Sequence, residues 1–214
     1  MLHNEQEKLK LIQEQVKLLL ANADPAHDFE HIMRVYQMAE HLCRVEEGDP
    51  VIALPAALLH DLYQVPKNHP ERAKAADRSA SMAEKLLHEI QYPQEKIPAI
   101  IIAIKSHSFS KGEIPTQKEA MIVQDADRLD ALGAIGIARL WVTGAQFQRQ
   151  LYHPQDPFAE SKRELNDLQY GLDHFYKKLL KIKDKLMTQE AKRIGEERHG
   201  FLVQYLEELK KEIK

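Results

Sequence analysis

The sequence has a single cysteine, Cys43, among its 214 residues. A disulfide within the chain and a metal site built from several cysteines are therefore both excluded. Glycine is scarce, at 8 residues, and no apolar run approaches the length of a membrane-spanning helix. The polar start MLHNEQEKLK lacks the apolar segment of a secretory signal peptide. We therefore expect a cytoplasmic protein without a membrane partner.

A basic excess is absent as well. Lys and Arg total 30 and Asp and Glu total 33, which gives a formal net charge of −3. Nucleic-acid-binding surfaces ordinarily carry a clear basic excess, so this balance argues against nucleic acid as a partner. What the chain does have is 43% hydrophobic residues, enough for a substantial core, and 11 histidines. The histidines are either spread over the surface or gathered into a site.

Helical periodicity covers nearly the whole chain. Asp24-Pro25 and Asp49-Pro50 each combine an N-cap residue with proline at the first helical position. No segment alternates apolar and polar residues as a strand does. The three- and four-residue spacing of apolar residues predicts helices over 5–22, 25–44, from 50 onward, 77–91, 95–107, 116–130, 132–149, 160–185 and 189–212. We predict an all-α fold in one domain over 1–214, whose C-terminal helices (160–214) pack on a core of about 24–144.

Two polar residues lie on predicted apolar helix faces. His31 precedes Val35 by four residues, and Asp125 lies between Ile122 and Leu129. A single histidine in such a place is more often a hydrogen-bonded core residue. A carboxylate there is costly unless it has a partner. Two further carboxylates near Asp125 can face water, namely Asp127 and Asp130.

A third unusual position is His60-Asp61, which follows the uncharged segment 51–59. A carboxylate near a helix C-terminus is disfavoured by the helix dipole. Considered alone, Asp61 fits an exposed helix end in water. Together with His31 and Asp125, however, the pair completes a set of two imidazoles and two carboxylates. That set suits a divalent first-row metal ion.

The order His31, His60-Asp61 and Asp125 resembles the signature of the HD superfamily of metal-dependent phosphohydrolases. The segments HDFEHIMRVYQMAEHL, ALLHDLYQ, KSHSFSKG and VQDADRLDALGAIGIAR resemble a bacterial branch of small, single-domain HD proteins. The resemblance covers about residues 24–144. It implies a helical bundle with a metal site between core helices and with these four residues as the metal ligands.

The same resemblance implies hydrolysis of a nucleoside triphosphate to the monophosphate and pyrophosphate. The implied ion is Mn²⁺ or Mg²⁺, with Ni²⁺, Co²⁺ or Fe²⁺ as alternatives. Gln64-Val65 stands where HD enzymes that act on guanosine tetraphosphate or as 5′-nucleotidases carry acidic residues, which argues against both activities. The remaining alternatives are a nucleotide phosphomonoesterase, a signalling-nucleotide hydrolase and a non-catalytic, metal-stabilised nucleotide sensor. The expected partner is a small nucleotide, and a homodimer is one assembly that we consider.

Two residues are the candidates for proton transfer near the ion. Asp61 can orient or deprotonate a water molecule with its second oxygen. His107 ends the apolar segment IPAIIIAIKSH, and its alternative is a loop histidine without a role. His88 and His107 follow the order in which some HD enzymes bind a second ion, but the gaps are compressed, so we favour one ion.

Five basic residues are candidates for contacts with the phosphates. His27 lies one turn before His31 and is predicted to share its helix face. Arg34 equally fits a structural pair with Asp127 or Asp130. Surface Lys and Arg are usually solvated, which is the alternative for the weaker candidates. The complete set is His27, Arg34, Lys111, Lys67 and Arg128.

Overall fold

The structure, a computed structural model, describes residues 3–65, 70–107 and 114–213. Within these ranges the only β feature is an isolated bridge between Gln150 and Tyr170, so the predicted all-α fold is confirmed. No helix in the same ranges is both long and apolar enough to cross a membrane. The α-helices there are α1 (His3–Leu19), α2 (Phe29–Val45), α3 (Pro50–Leu59), α4 (Ala75–Glu89), α5 (Ile97–Ser106), α6 (Lys118–Leu129), α7 (Gly133–Gln146), α8 (Gly171–Lys177) and α9 (Gln189–Glu212).

The chain divides into two compact units, Met1–Asp127 and Arg128–Lys214. In the first unit, α3 packs against α1, α2 and α5, and α4 packs against α5. The central position of α3 follows from its sequence, since PVIALPAALL carries no charge and is buried at every position from Ala53 to Leu59. The prediction of one domain over the whole chain stays a prediction.

Proline inside α3 leaves one backbone acceptor without its helical donor. Pro55 has no N–H, so the carbonyl oxygen of Val51, four residues earlier, cannot receive the usual helical hydrogen bond. The hydroxyl of Tyr92 donates to that oxygen instead, at 2.9 Å. Tyr92 is 1% exposed, so this bond gives its buried hydroxyl a partner and also satisfies the Val51 carbonyl oxygen.

Helix α2 begins at Phe29, four residues later than the sequence pattern predicts. Asp28 is its N-cap, and the side chain of Asp28 accepts a 2.9 Å bond from the backbone N–H of His31. Asp24 instead closes the preceding turn, because its Oδ1 accepts from the N–H of Ala26 at 2.7 Å. The later start moves His27 out of the helix and into this turn.

The predicted helix over 160–185 is wrong. In the second unit this stretch contains α8 and two short 3₁₀ helices, Leu179–Lys181 and Lys183–Lys185. The guanidinium of Arg163 bonds both carboxylate oxygens of Asp173 at 2.6 and 2.7 Å, and the backbone N–H of Asn166 also donates to Asp173. Positive φ angles at Ala159 (55°) and Lys162 (60°) further exclude a regular helix here. Specific polar contacts thus override a helical sequence pattern.

Candidate metal centre

Two buried histidines and one carboxylate meet in the first unit. Nε2 of His31, on α2, lies 3.6 Å from Oδ1 of Asp127, on α6. Nε2 of His60, the C-cap residue of α3, lies 3.9 Å from the same oxygen. Both histidines are 1% exposed, and the Asp127 side chain is 26% exposed. Their three ligand atoms lie within 4.8 Å of one another, and among the described residues this is the one such group of His, Cys, Asp or Glu side chains.

The orientation of His60 follows from its place at the end of α3. Its Nδ1 lies 2.8 Å from the carbonyl oxygen of Ala57 and donates to it. In the neutral imidazole the proton is therefore on Nδ1 and the lone pair is on Nε2. Histidines that bind metals typically donate their other ring N–H to a carbonyl in this way. The donor set of two imidazole nitrogens and a carboxylate oxygen accordingly fits a divalent ion.

His107 repeats this arrangement at the end of α5. It is the C-cap residue of the helix, and its Nδ1 lies 2.6 Å from the carbonyl oxygen of Ile104. Because α3 packs against α5, the ring centroids of His60 and His107 are only 4.9 Å apart. Burial, reinforced by the nearby His60, lowers the pKa of His107. The His107 imidazole is thus neutral at pH 7, with a lone pair on Nε2.

Asp61 lies beside these imidazoles. Burial opposes its ionisation, but the surrounding histidines outweigh that effect and lower the pKa of the Asp61 carboxyl. The histidines responsible are His60, His107, His27 and His31. Asp61 is therefore ionised at neutral pH and can accept hydrogen bonds or bind a cation. Its role as a ligand stays a prediction.

Helix α6 brings the Asp127 carboxylate to these histidines. The expectation that Asp127 faces water is wrong, because its oxygen lies against His31 and His60. Asp130 does not face water either, since it is 4% exposed and forms a 2.9 Å ion pair with Arg139. Asp125, the predicted ligand, is fully buried, and its role stays a prediction.

The sequence pattern missed Asp127 because α6 is buried around nearly its whole circumference. A helix of this kind has no single apolar stripe from which an inward position can be chosen. The sequence did contain one indication of Asp127: two carboxylates, Asp125 and Asp127, lie two residues apart on a helix whose other residues are mostly apolar. The fully buried positions are Ala120, Ile122, Val123, Gln124, Asp125, Ala126 and Leu129.

The remaining candidates occupy different surroundings. His27 lies at the edge of the histidine cluster, with its ring centroid 5.9 Å from that of His31. Arg34 is half-buried on α2, and His88 is exposed on α4. Arg128 belongs to the second unit, where its guanidinium donates to the carbonyl oxygen of Lys185. Two predicted residues lie outside the described residues, namely Lys67 and Lys111.

Comparison with known proteins identifies the family. The HD domain family model matches residues 28–132. The protein YpgQ of Bacillus subtilis (strain 168) is 32% identical over 205 residues, which cover 92% of this chain and 90% of YpgQ. The chain belongs to the HD superfamily.

Solved structures match nearly all of this chain. Bacillus subtilis YpgQ in complex with ADP matches it with a TM-score of 0.77 and 30% identity, covering 98% of this chain and 97% of the other. An HD-superfamily hydrolase from Bacillus thuringiensis matches with a TM-score of 0.74 and 36% identity, covering 97% of each chain. HD domains bind divalent metal ions, and membership supports a metal-dependent phosphohydrolase activity.

Proposed function

We propose that this HD protein hydrolyses ribo- or deoxynucleoside triphosphates to the nucleoside monophosphate and pyrophosphate. The observation that carries the nucleotide part is the ADP bound by Bacillus subtilis YpgQ, a protein that matches nearly the whole chain. The hydrolytic part is supported by family membership and by the His31, His60 and Asp127 group. Gln64 follows the His60-Asp61 pair in the sequence, and its side chain is an amide and not a carboxylate.

In this proposal His31, His60 and Asp127 hold the divalent ion, with Asp61 beside them. The ion, when bound, supplies positive charge to phosphate oxygens and lowers the pKa of a water molecule. The ionised Asp61 carboxylate orients the attacking water and accepts a hydrogen bond from it. His107 offers Nε2 as a neutral acceptor, since its Nδ1 proton is engaged by Ile104. Water attacks the α-phosphorus and forms the new P–O bond, while the bond from the α-phosphorus to the α,β-bridging oxygen breaks and pyrophosphate leaves with that oxygen. The proton that the water loses passes to the Asp61 carboxylate or to Nε2 of His107.

Product analysis tests this reaction. The purified protein is incubated with nucleoside mono-, di- and triphosphates and with Mn²⁺, Mg²⁺, Co²⁺ or Ni²⁺ in turn, and the products are separated by ion-exchange chromatography. We expect the monophosphate and pyrophosphate from a triphosphate. In water enriched in ¹⁸O, the label is expected in the monophosphate, because the α-phosphorus is attacked. Label in pyrophosphate would contradict that step.

Two other outcomes distinguish the alternatives. Release of orthophosphate would instead support a phosphatase, and nucleotide binding without turnover would support a sensor.

Asp61→Ala is expected to abolish turnover while the helical circular dichroism persists. The exposed Asp184, whose side chain is 70% exposed in the second unit, offers the matched control Asp184→Ala.

A further inference from the structure

The C-terminal end of α5 is held by two side chains. The last carbonyl groups of a helix have no backbone N–H partner within that helix. Nδ1 of His107 donates to the carbonyl oxygen of Ile104 at 2.6 Å. The side-chain amide of Gln124, on α6, donates to the carbonyl oxygen of Ser106, also at 2.6 Å. One carbonyl at this helix end therefore depends on the next histidine, and another depends on a different helix.

The hydrogen bond between Gln124 and Ser106 is buried. Gln124 is 0% exposed, and Ser106 and His107 are 7% and 8% exposed. Because the acceptor is a carbonyl oxygen, the group of Gln124 that faces it is the NH₂. Loss of a buried donor leaves its acceptor unsatisfied, so such a bond holds its partner firmly. Ser106 directly precedes His107 in the chain, so the bond also limits movement of the His107 backbone.

Gln124 and Asp127 lie on the same side of α6. They are three residues apart, and residues at that spacing are neighbours on a helix surface. Oδ1 of Asp127 lies 3.6 Å from Nε2 of His31 and 3.9 Å from Nε2 of His60. One turn of α6 thus contacts both the metal-ligating group and the helix end that carries His107.

We propose that Gln124 is a positioning residue for His107: its amide fixes the Ser106 carbonyl, so that the His107 ring keeps its place 4.9 Å from the ring of His60. The proposal rests on the proposed function only in giving His107 a part in proton transfer. A purely structural role for Gln124 would stabilise the buried end of α5 without a specific effect on His107. The two roles differ in measurable ways.

The first test follows the His107 ring in the ligand-free protein. Gln124→Met keeps the approximate length of the side chain but removes the donor. Spectra of ¹⁵N-histidine-labelled protein, with His107→Ala for assignment, give the rate at which the His107 Nδ1–H proton exchanges with water. We expect exchange in Gln124→Met to be on the order of tenfold faster than in the wild type, because the last turn of α5 opens more often.

Tyr92→Phe is the matched control for this experiment. It also removes a buried side-chain donor to a backbone carbonyl of the first unit, that of Val51. We expect exchange of the His107 Nδ1–H in Tyr92→Phe to stay close to the wild-type rate. Equal exchange rates in Gln124→Met and Tyr92→Phe, or no protected Nδ1–H in the wild type, would overturn the proposal.

The second test separates catalysis from metal binding. Gln124→Met is expected to lower kcat for the triphosphate by on the order of tenfold, because the misplaced His107 transfers the proton less well. KM and the Mn²⁺ affinity are expected to stay as in the wild type, since the three metal-ligating side chains are unchanged. Tyr92→Phe is expected to keep the wild-type kcat. A parallel loss of Mn²⁺ affinity, or an equal loss of kcat in Tyr92→Phe, would overturn the proposal.

The third test asks whether Gln124 acts through His107. In the His107→Ala background, Gln124→Met is expected to cause no further loss of kcat, because the residue that it positions is gone. An equal loss of kcat in both backgrounds would overturn the proposal. If the wild type turns over no triphosphate, the proton-exchange experiment still decides whether Gln124 holds His107. Absence of turnover by itself overturns only the proposed reaction.

Discussion

At the scale of single residues, the chemistry of this site depends on which ring nitrogen of each histidine is already engaged. His60 and His107 donate Nδ1–H to backbone carbonyl oxygens, and His27 donates it to the carboxylate of Asp24. In the neutral form of each ring, the lone pair is therefore on Nε2. The shared tautomer is set by local contacts within each segment, while the meeting of the segments is set by helix packing.

The choice between Asp127 and Asp125 as a metal ligand is the first prediction at this scale. Asp127→Asn is expected to weaken Mn²⁺ binding by at least tenfold, because the oxygen nearest both His31 and His60 loses its charge. Titration calorimetry measures the affinity. Asp125→Asn is the comparison, and we expect it to retain binding more closely. The reverse order of effects would assign the ligand role to Asp125.

Asp167 in the second unit leads to a prediction about pH. Burial opposes its ionisation, but hydrogen bonds from Lys177 and His174 lower the pKa of Asp167 from 3.8 to about 2. Because the folded-state pKa is depressed, the stabilisation is fully present above pH ~4 and is lost as the pH falls toward 2. Asp167→Asn is therefore expected to lower the free energy of unfolding at pH 7 by about 2 kcal/mol.

Urea denaturation at pH 7 and at pH values between 4 and 2 measures this effect. The difference between Asp167→Asn and the wild type is expected to shrink as the pH falls through this window. Asp184→Asn is the control, since Asp184 lies on the same unit with a 70% exposed side chain. A difference that stays constant between pH 4 and pH 2 would show that the Asp167 charge is not responsible.

At the scale of elements, the ends of α3 and α5 bring the chemistry together. Both helices are short and apolar, both are largely buried, and each has a histidine as its C-cap residue. Because α3 is central to the first unit, its C-terminus can approach both α2 and α5. Because α3 is buried from Ala53 to Leu59, a backbone group that loses its helical partner there needs a partner from a neighbouring element.

The missing backbone N–H of Pro55 in α3 leads to a prediction at the scale of elements. Tyr92→Phe leaves the carbonyl oxygen of Val51 without the hydroxyl donor, and we expect a loss of about 1–3 kcal/mol in the free energy of unfolding. In the Pro55→Ala background the backbone N–H returns, so the same change at Tyr92 is expected to cost less. Urea denaturation of the two single variants and the double variant gives the coupling. If the losses in the free energy of unfolding from the two single variants simply add in the double variant, the Tyr92 hydroxyl does not replace the missing helical donor at Val51.

At the scale of the whole molecule, the candidate chemistry is concentrated in the first unit. His31, His60, Asp61, His107 and Asp127 all precede the division at Asp127/Arg128. The net charge of −3 gives no general attraction for polyanions, so the proposed phosphate recognition would rely on local charge. Within the second unit, Asp173 pairs with Arg163 and Asp167 pairs with His174.

Metal binding is expected to stabilise the whole protein. At a Mn²⁺ concentration about 100 times Kd, linkage gives about 2.7 kcal/mol. For a chain of this length the thermal midpoint is then expected to rise by about 5 °C or more. Differential scanning fluorimetry with Mn²⁺, and again after excess EDTA, measures the shift and its reversal. His31→Ala/His60→Ala is expected to lack the shift, and an equal shift in that variant would place the ion elsewhere.

The amino-acid sequence by itself determined the all-α class, the inward position of His31 and the apolar character of the helix that ends in His60-Asp61. These follow from local periodicity and from the absence of charge, which are properties of neighbouring residues. Its prediction of a helix over 160–185 failed because the Arg163–Asp173 contact joins residues ten apart, which periodicity does not detect.

Only the tertiary structure placed Asp127 of α6 against His31 and His60. Because α6 is buried on almost every side, its apolar periodicity does not indicate which side chain faces a neighbouring helix. The contacts of Asp127 with His31 and His60 depend on the packing of α6 against other segments. The same holds for the Gln64 amide, whose partner at His27 lies 37 residues away along the chain. Residue types and helical periodicity establish that imidazoles and carboxylates are present on these helices. The packing of α2, α3, α5 and α6 establishes which of those side chains lie in contact.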